Sequence, residues 1–145
     1  MLIKHILENH KAKGAIMISI TPDATLRSAA ETLNARKIGA LPVVDTNGAL
    51  IGILSERDIV RICALAANNP LDYKVQEAMT RNLELATSEN SVESALARMT
   101  DRRIRHLPVV DSGHLVGIVS IGDLVKAQID MILAEADAIK TYITS

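Results

Sequence analysis

The sequence predicts an α/β protein of the mixed α+β kind, built from two tandem copies of one β-α-β-β-α unit. Three observations carry that prediction. Thr21–Asp45 aligns with Thr87–Asp111 at an offset of 66 with ten of 25 positions identical, including the whole pentapeptide Leu41–Asp45 against Leu107–Asp111. Ile51–Val60 then aligns with Val116–Val125 at an offset of 65, five of ten identical, the lost residue falling in a turn. Within each copy the apolar period changes from helical to strand-like and back, punctuated by Asn-Gly or Ser-Gly. A chain of 145 residues, 48% hydrophobic and 23% charged, has enough apolar material for two small units.

Each element follows from local chemistry. A short strand is expected first in each copy, over Ala15–Ile20 and Leu83–Ala86. The first helix is expected over Leu26–Lys37, with Leu26, Ala29, Ala30 and Leu33 on one face and Thr25 as N-cap. Its counterpart uses Val92, Ala95, Leu96 and Met99, capped by Ser91. Hairpins follow: Leu41–Val44 with Leu50–Leu54, and Leu107–Val110 with Leu115–Val119. Second helices are expected from Glu56 to Ala67, and from Ile121 to beyond Ala134. The reading places repeat one at 1–67, a linker at 68–74 and repeat two at 75–145 with a long C-terminal helix.

Composition excludes several functions. A net charge of -1 removes a bulk electrostatic argument for nucleic acid or anionic membrane. Tyr73 and Tyr142 are the only aromatics, too few for base stacking. No apolar run reaches membrane-spanning length, no signal-peptide pattern is seen, and one cysteine suits the reducing cytoplasm. Cys63, among Ile62, Ala64 and Leu65, is expected to be a buried structural thiol. His5, His10, His106 and His114 are scattered, so no metal site is expected, and no catalytic motif or catalytic cofactor site is found.

One motif invites a functional reading. Ser55-Glu56-Arg57-Asp58 and Ser120-Ile121-Gly122-Asp123 both stand where a strand turns into a helix. Serine and aspartate three apart can form a capping box with no ligand at all. The same groups suit a ribose phosphate: free helix amides for the anion, and a carboxylate for a vicinal diol. The spacing alone supports both.

The duplicated Leu-Pro-Val-Val-Asp, a Gly turn, then Gly-Ile-(Leu/Val)-Ser-x-x-Asp resembles a tandem pair of cystathionine-beta-synthase (CBS) domains, most closely the small stand-alone bacterial pairs. The resemblance covers nearly the whole chain. It implies two repeats about a pseudo-twofold axis, with adenine nucleotides in clefts between their sheets. Asp58 and Asp123 would then take ribose hydroxyls, and Ser55 and Ser120 ribose or phosphate. Adenine would lie near Ile18, Ile20, Ile38, Gly39 and Ala40 in one cleft, and near Glu84, Leu85, Ile104 and Ile118 in the other. Arg105 and His106 would meet phosphate in one cleft and Arg57 in the other. The expected ligand is AMP or another adenosine-containing nucleotide (ADP, ATP, NAD or S-adenosylmethionine), and the expected role is a non-catalytic sensor that signals to a partner protein. A structural module with vestigial clefts is the alternative.

The copies differ. Gly39 and Ala40 replace Arg105 and His106, and Gly122 replaces Arg57. Ile3–Leu7 resembles Val75–Met79, but 8–13 has no partner; this stretch is expected to be a loop whose Lys11 and Lys13 either reach a phosphate or face solvent. Leu124, Ile129, Ile132, Leu133, Ala136 and Ile139 form a helical stripe longer than one small repeat can bury, which predicts a homodimer.

Overall fold

The computed structural model describes residues 1–144. The elements are α1 (Ile3–Ala12), α2 (Leu26–Arg36), β1 (Ala40–Val44), β2 (Leu50–Ser55), α3 (Glu56–Leu65), α4 (Val75–Ala78), α5 (Val92–Arg102), β3 (His106–Asp111), β4 (His114–Ser120) and α6 (Ile121–Thr144). A single 3-10 turn, Pro70–Asp72, precedes α4. They pack as two compact units. One is continuous, Met17–Glu84, and is called the mid-chain unit below; the other joins Met1–Ile16 to the chain from Leu85 onward and is called the split unit.

In the mid-chain unit α2 starts because Thr25 Oγ1 accepts from Ser28 N–H at 3.1 Å, and ends at Lys37 in the left-handed region (φ 54°). Its buried face, Leu26, Ala29 and Leu33, meets Leu41, Val43 and Leu54 of the hairpin together with Val75, Ala78 and Met79. Each fully buried Leu or Val side chain there stabilises the fold by roughly 1.5–3 kcal/mol. β1 and β2 pair antiparallel with Leu41 opposite Leu54 and a bulge at Val43/Val44. Their turn is held by Asp45, whose Oδ1 accepts from Asn47 and Ala49 N–H at 2.9 Å, with Gly48 supplying the positive φ of 80°.

The split unit repeats this plan. Ser91 Oγ accepts from Ser94 N–H at 3.1 Å to start α5, and Arg103 ends it at φ 55°. Val92, Ala95 and Met99 pack against Leu107, Val109, Val119 and Leu124, and α1 adds Ile3 and Ile6. The identical pentapeptides end differently, since Asp111 Oδ1 accepts from Ser88 N–H at 2.9 Å instead of holding its own turn. That bonding to Ser88 lowers the Asp111 pKa below the usual carboxylate range.

The strands expected over Ala15–Ile20 and Leu83–Ala86 shrink to single bridging residues. Ile20 N–H donates to Pro42 O and its carbonyl accepts from Val44 N–H; Ala86 does the same with Pro108 and Val110. The next parallel bonds would need N–H donors from Pro42 and Pro108. Proline has none, so each ladder stops.

The units do not coincide with the contiguous stretches 1–67 and 75–145. Ile3 and Lys4 N–H donate to Asn90 and Ser88 carbonyls, and Val92 N–H donates to Met1 O. Val75 and Gln76 N–H donate likewise to Ala24 and Pro22, and Leu26 N–H to Tyr73 O. The start of α1 thus completes the unit of the second repeat, and α4 that of the first. Both carry similar apolar patterns, so sequence similarity alone does not say which docks where. The stretch expected as a loop at 8–13 instead largely continues α1 as helix, to Ala12.

The α3 helix exposes Cys63, correcting the expectation of a buried thiol. Val60 and Leu65 on the same helix are also exposed, at 67% and 74%. Along α6 only Leu124 and Ala127 are buried, whereas Ile129, Ile132, Leu133 and Ile139 are all more than half exposed.

Two glycines set how closely the docking helices approach. A Cβ on Gly52 would lie 2.7 Å from Met79 Sδ and 3.0 Å from Thr80 O; one on Gly117 would lie 2.7 Å from Leu7 Cδ2. Gly52→Ala should therefore cost about 1–3 kcal/mol in urea unfolding. Gly117→Ala should cost less, because it meets only the end of a flexible leucine.

Candidate functional site

Both Ser-x-x-Asp segments form capping boxes. Ser55 Oγ accepts from Asp58 N–H at 3.3 Å while Asp58 Oδ2 accepts from Ser55 N–H at 2.8 Å. Ser120 Oγ accepts from Asp123 N–H at 3.1 Å and Asp123 Oδ2 from Ser120 N–H at 2.8 Å. The preceding loop takes one more amide in each unit: Glu56 N–H donates to Gly39 O at 3.0 Å and Ile121 N–H to Arg105 O at 2.8 Å. Of the first three amides of each helix, only Arg57 N–H and Gly122 N–H keep no protein acceptor among the described residues. The anion-binding capacity of these helix starts is thereby reduced to one amide each.

The two carboxylates differ in what else they hold. Asp58 is 3% exposed. Its Oδ1 accepts from Arg61 Nη1 at 3.0 Å and Thr80 Oγ1 at 3.3 Å, and its Oδ2 also accepts from Ser55 Oγ at 3.1 Å. Arg61 Nη2 continues to Ala78 O at 2.9 Å, so this carboxylate ties α3 to the end of α4. Four donors fill the roughly four acceptor positions of a carboxylate. Asp123 keeps a 30% exposed side chain; its Oδ1 meets His10 Nε2 of α1 at 3.3 Å. Each Asp123 oxygen therefore retains an acceptor position.

A cavity of about 450 Å³ opens beside Asp123, lined by His5, Asn9 and His10 from α1, by Lys13 just after it, and by Lys126 and Asp130 from α6. Lys126 Nζ pairs with Asp130 at 3.0 Å, and His5 Nδ1 accepts from Leu2 N–H at 3.2 Å. A larger hollow of about 570 Å³ lies between α2 and α3, lined mainly by Ala30, Leu33, Ile38, Ile59 and Val60, and does not reach Asp58. Among the described residues no group of His, Cys, Asp and Glu side chains is placed to hold a metal ion.

The structure gathers part of the expected site. In the mid-chain unit Ile18, Ile20 and Ile38 pack half-buried on the core, Ala40 is buried at the start of β1, and Gly39 joins the helix start through its carbonyl. Arg57 is exposed beside it. In the split unit His106 stands opposite Ser120, Ile118 opposite Pro108, and Ile104 packs on the core. Arg105 is exposed; Leu85 is 42% exposed, with its carbonyl held by the Arg98 guanidinium. Glu84 closes the mid-chain unit. Sequence reasoning missed Arg61, Thr80, His10 and Lys126. Arg61 and Lys126 were findable, each standing three residues after a motif aspartate.

Two α-β-β-α units, each closing a Leu-Pro hairpin onto a serine-capped helix, define a tandem-repeat module of mixed helix and strand. The chain belongs to the CBS domain family, whose model matches residues 14–65 and 75–130. A CBS-domain containing protein of Agrobacterium tumefaciens, ATU1752, is 38% identical with a TM-score of 0.81 over 88% of this chain and 92% of that one. The mitochondrial CBS domain-containing protein CBSX3 of Arabidopsis thaliana is 36% identical over 85% of this chain, which spans 62% of that protein. Two solved relatives hold ligands. The CBS domain pair of protein MJ0100, in complex with 5′-methylthioadenosine and S-adenosylmethionine, is 29% identical, with a TM-score of 0.75 over 90% and 98% of the two chains. CBSX2 in complex with AMP is 25% identical, with a TM-score of 0.70 over 79% and 89%.

The geometry predicts unequal roles for the aspartates. Asp58→Ala strands Arg61 and Thr80 as well as the cap and should cost about 2–3 kcal/mol. Asp123→Ala should cost about 0.5–2 kcal/mol. Urea unfolding of the two variants without ligand checks the order.

Proposed function

We propose that this protein is a non-catalytic regulatory module that binds AMP or another adenosine-containing nucleotide and passes the bound state to a partner protein in the cytoplasm. One observation carries the reading: Asp123 is capped and still has an open acceptor position on each oxygen, the requirement for receiving a ribose diol. The adenosine ligands of MJ0100 and CBSX2 support the ligand class. Ser120 lies beside the ribose, Arg105 and His106 serve the phosphate, and Leu85, Ile104 and Ile118 line the base. In the mid-chain unit Asp58, Ser55, Arg57, Ile18, Ile20, Ile38, Gly39 and Ala40 form the corresponding set. A diol reaches Asp58 only after Arg61 or Thr80 lets go. That saturation favours a second reading for this unit alone, a structural node without ligand.

The apolar face of α6 supports a homodimer. A 24-residue helix with two buried residues leaves Ile129, Ile132, Leu133 and Ile139 in water unless another chain covers them. No helix among the described residues is long and apolar enough to cross a membrane.

At about 100 times its dissociation constant AMP should add about 2.7 kcal/mol of apparent stability. Asp123→Asn should lose most of that gain in a thermal melt. 2′-Deoxy-AMP leaves one carboxylate acceptor desolvated, costs about 1–3 kcal/mol and should bind correspondingly more weakly; equal binding would remove the ribose role. Light scattering at tens of micromolar should give a dimer mass, and Ile132→Lys should give the monomer.

A further inference from the structure

The stretch 8–13, without a counterpart in the other unit, contributes Asn9, His10 and Lys13 to the cavity beside Asp123. The docking helix of the mid-chain unit, α4, stops at Ala78, whereas α1 runs on to Ala12 and is followed by Lys13. That extension carries His10 to Asp123 and Lys13 to the cavity rim. From the other side α6 contributes Lys126, two-thirds exposed and one turn after Asp123. The carboxylates lining the cavity are already engaged, Asp123 with His10 and Asp130 with Lys126. Lys13 has no carboxylate partner among the described residues.

We propose that this cavity is an anion subsite for a phosphate-bearing diol ligand, with Lys13 and Lys126 receiving the anion while Asp123, held by His10, takes the diol. The proposal rests on the nucleotide reading for the diol and adds two lysines to the phosphate contacts of Arg105 and His106. An anion there gains from two lysines without displacing a cap, because Ser120 and the Ile121 amide are not involved. Lys126 exchanges its helix-surface pair with Asp130 for the ligand at little cost, since exposed pairs contribute little. The mid-chain unit cannot do the same: the residue at the matching position of α3, Arg61, is committed to Asp58 and Ala78.

The test titrates adenosine and AMP calorimetrically into the full chain and into the double variant Lys13→Gln/Lys126→Gln at low ionic strength. Both lysines are exposed, so folding is not at stake. AMP should weaken about tenfold or more, as expected for losing charge-assisted bonds, while adenosine stays within about twofold of wild type. Unchanged AMP affinity, or an equal fall for both ligands, overturns the subsite. If neither ligand binds the wild-type protein, the nucleotide reading fails and the subsite is judged by inorganic pyrophosphate in an NMR titration. Saturable shifts of the His10 ring and both lysine side chains, lost in the double variant, uphold it; their absence overturns it.

Discussion

Strand and helix meet without an intervening loop at Ser55 and Ser120, and each of these residues must be both the last ladder residue and the helix cap. A strand-like φ at Ser55 (-110°) turns its hydroxyl toward the third helical amide, and the aspartate there reaches back to the serine N–H. The exchange satisfies backbone groups that burial would otherwise leave unpaired, and it holds the helix at one angle to the hairpin. Core residues on both sides, such as Leu54 and Leu124, depend on that angle. The same exchange uses Oδ2 and leaves Oδ1 of each carboxylate for other elements or a ligand.

What uses the carboxylate is decided by the helix that docks nearby. In the mid-chain unit α4 delivers Thr80 and the Ala78 carbonyl, and Arg61 completes a saturated node. In the split unit α1 delivers His10, a single partner, and its extra length opens a cavity with room for a ligand. The two copies share one scaffold, and different neighbours, Arg61 and Thr80 in one and His10 in the other, separate a saturated aspartate from an accessible one. A buried carboxylate bonded by four donors is stabilising because none of its lone pairs is left dry; one with open positions needs water or a ligand.

The glycines and prolines of the hairpins act in the same way in both units. Pro42 and Pro108 end the parallel ladders after one bridge, so the edge segments leave the sheets early. Gly52 and Gly117 remove side chains where Met79 and Leu7 press onto the second strand. Together they let a helix from a distant part of the chain lie close against each hairpin. Van der Waals contact, backbone bonds such as those at Ala24 and Asn90, and side-chain ties such as Thr80 to Asp58 hold that helix in place.

Much was legible in the sequence because it is local. Helix caps at Thr25 and Ser91, the hairpin turns and the apolar faces of α2 and α5 follow from residues within a few positions of each other. The Ser-x-x-Asp boxes were legible for the same reason, although their spacing fitted a cap and a ligand equally well. The tertiary structure decided the rest. The burial of Asp58 and exposure of Asp123, the surface position of Cys63, and the exchange of α1 and α4 between repeats all depend on which segment packs where. Two helices with the same apolar pattern carry the same local free energy of formation. Their different partners come from contacts between residues far apart in the chain, as when Ile3 bonds to Asn90 and Val75 to Ala24, and local pattern holds no record of those.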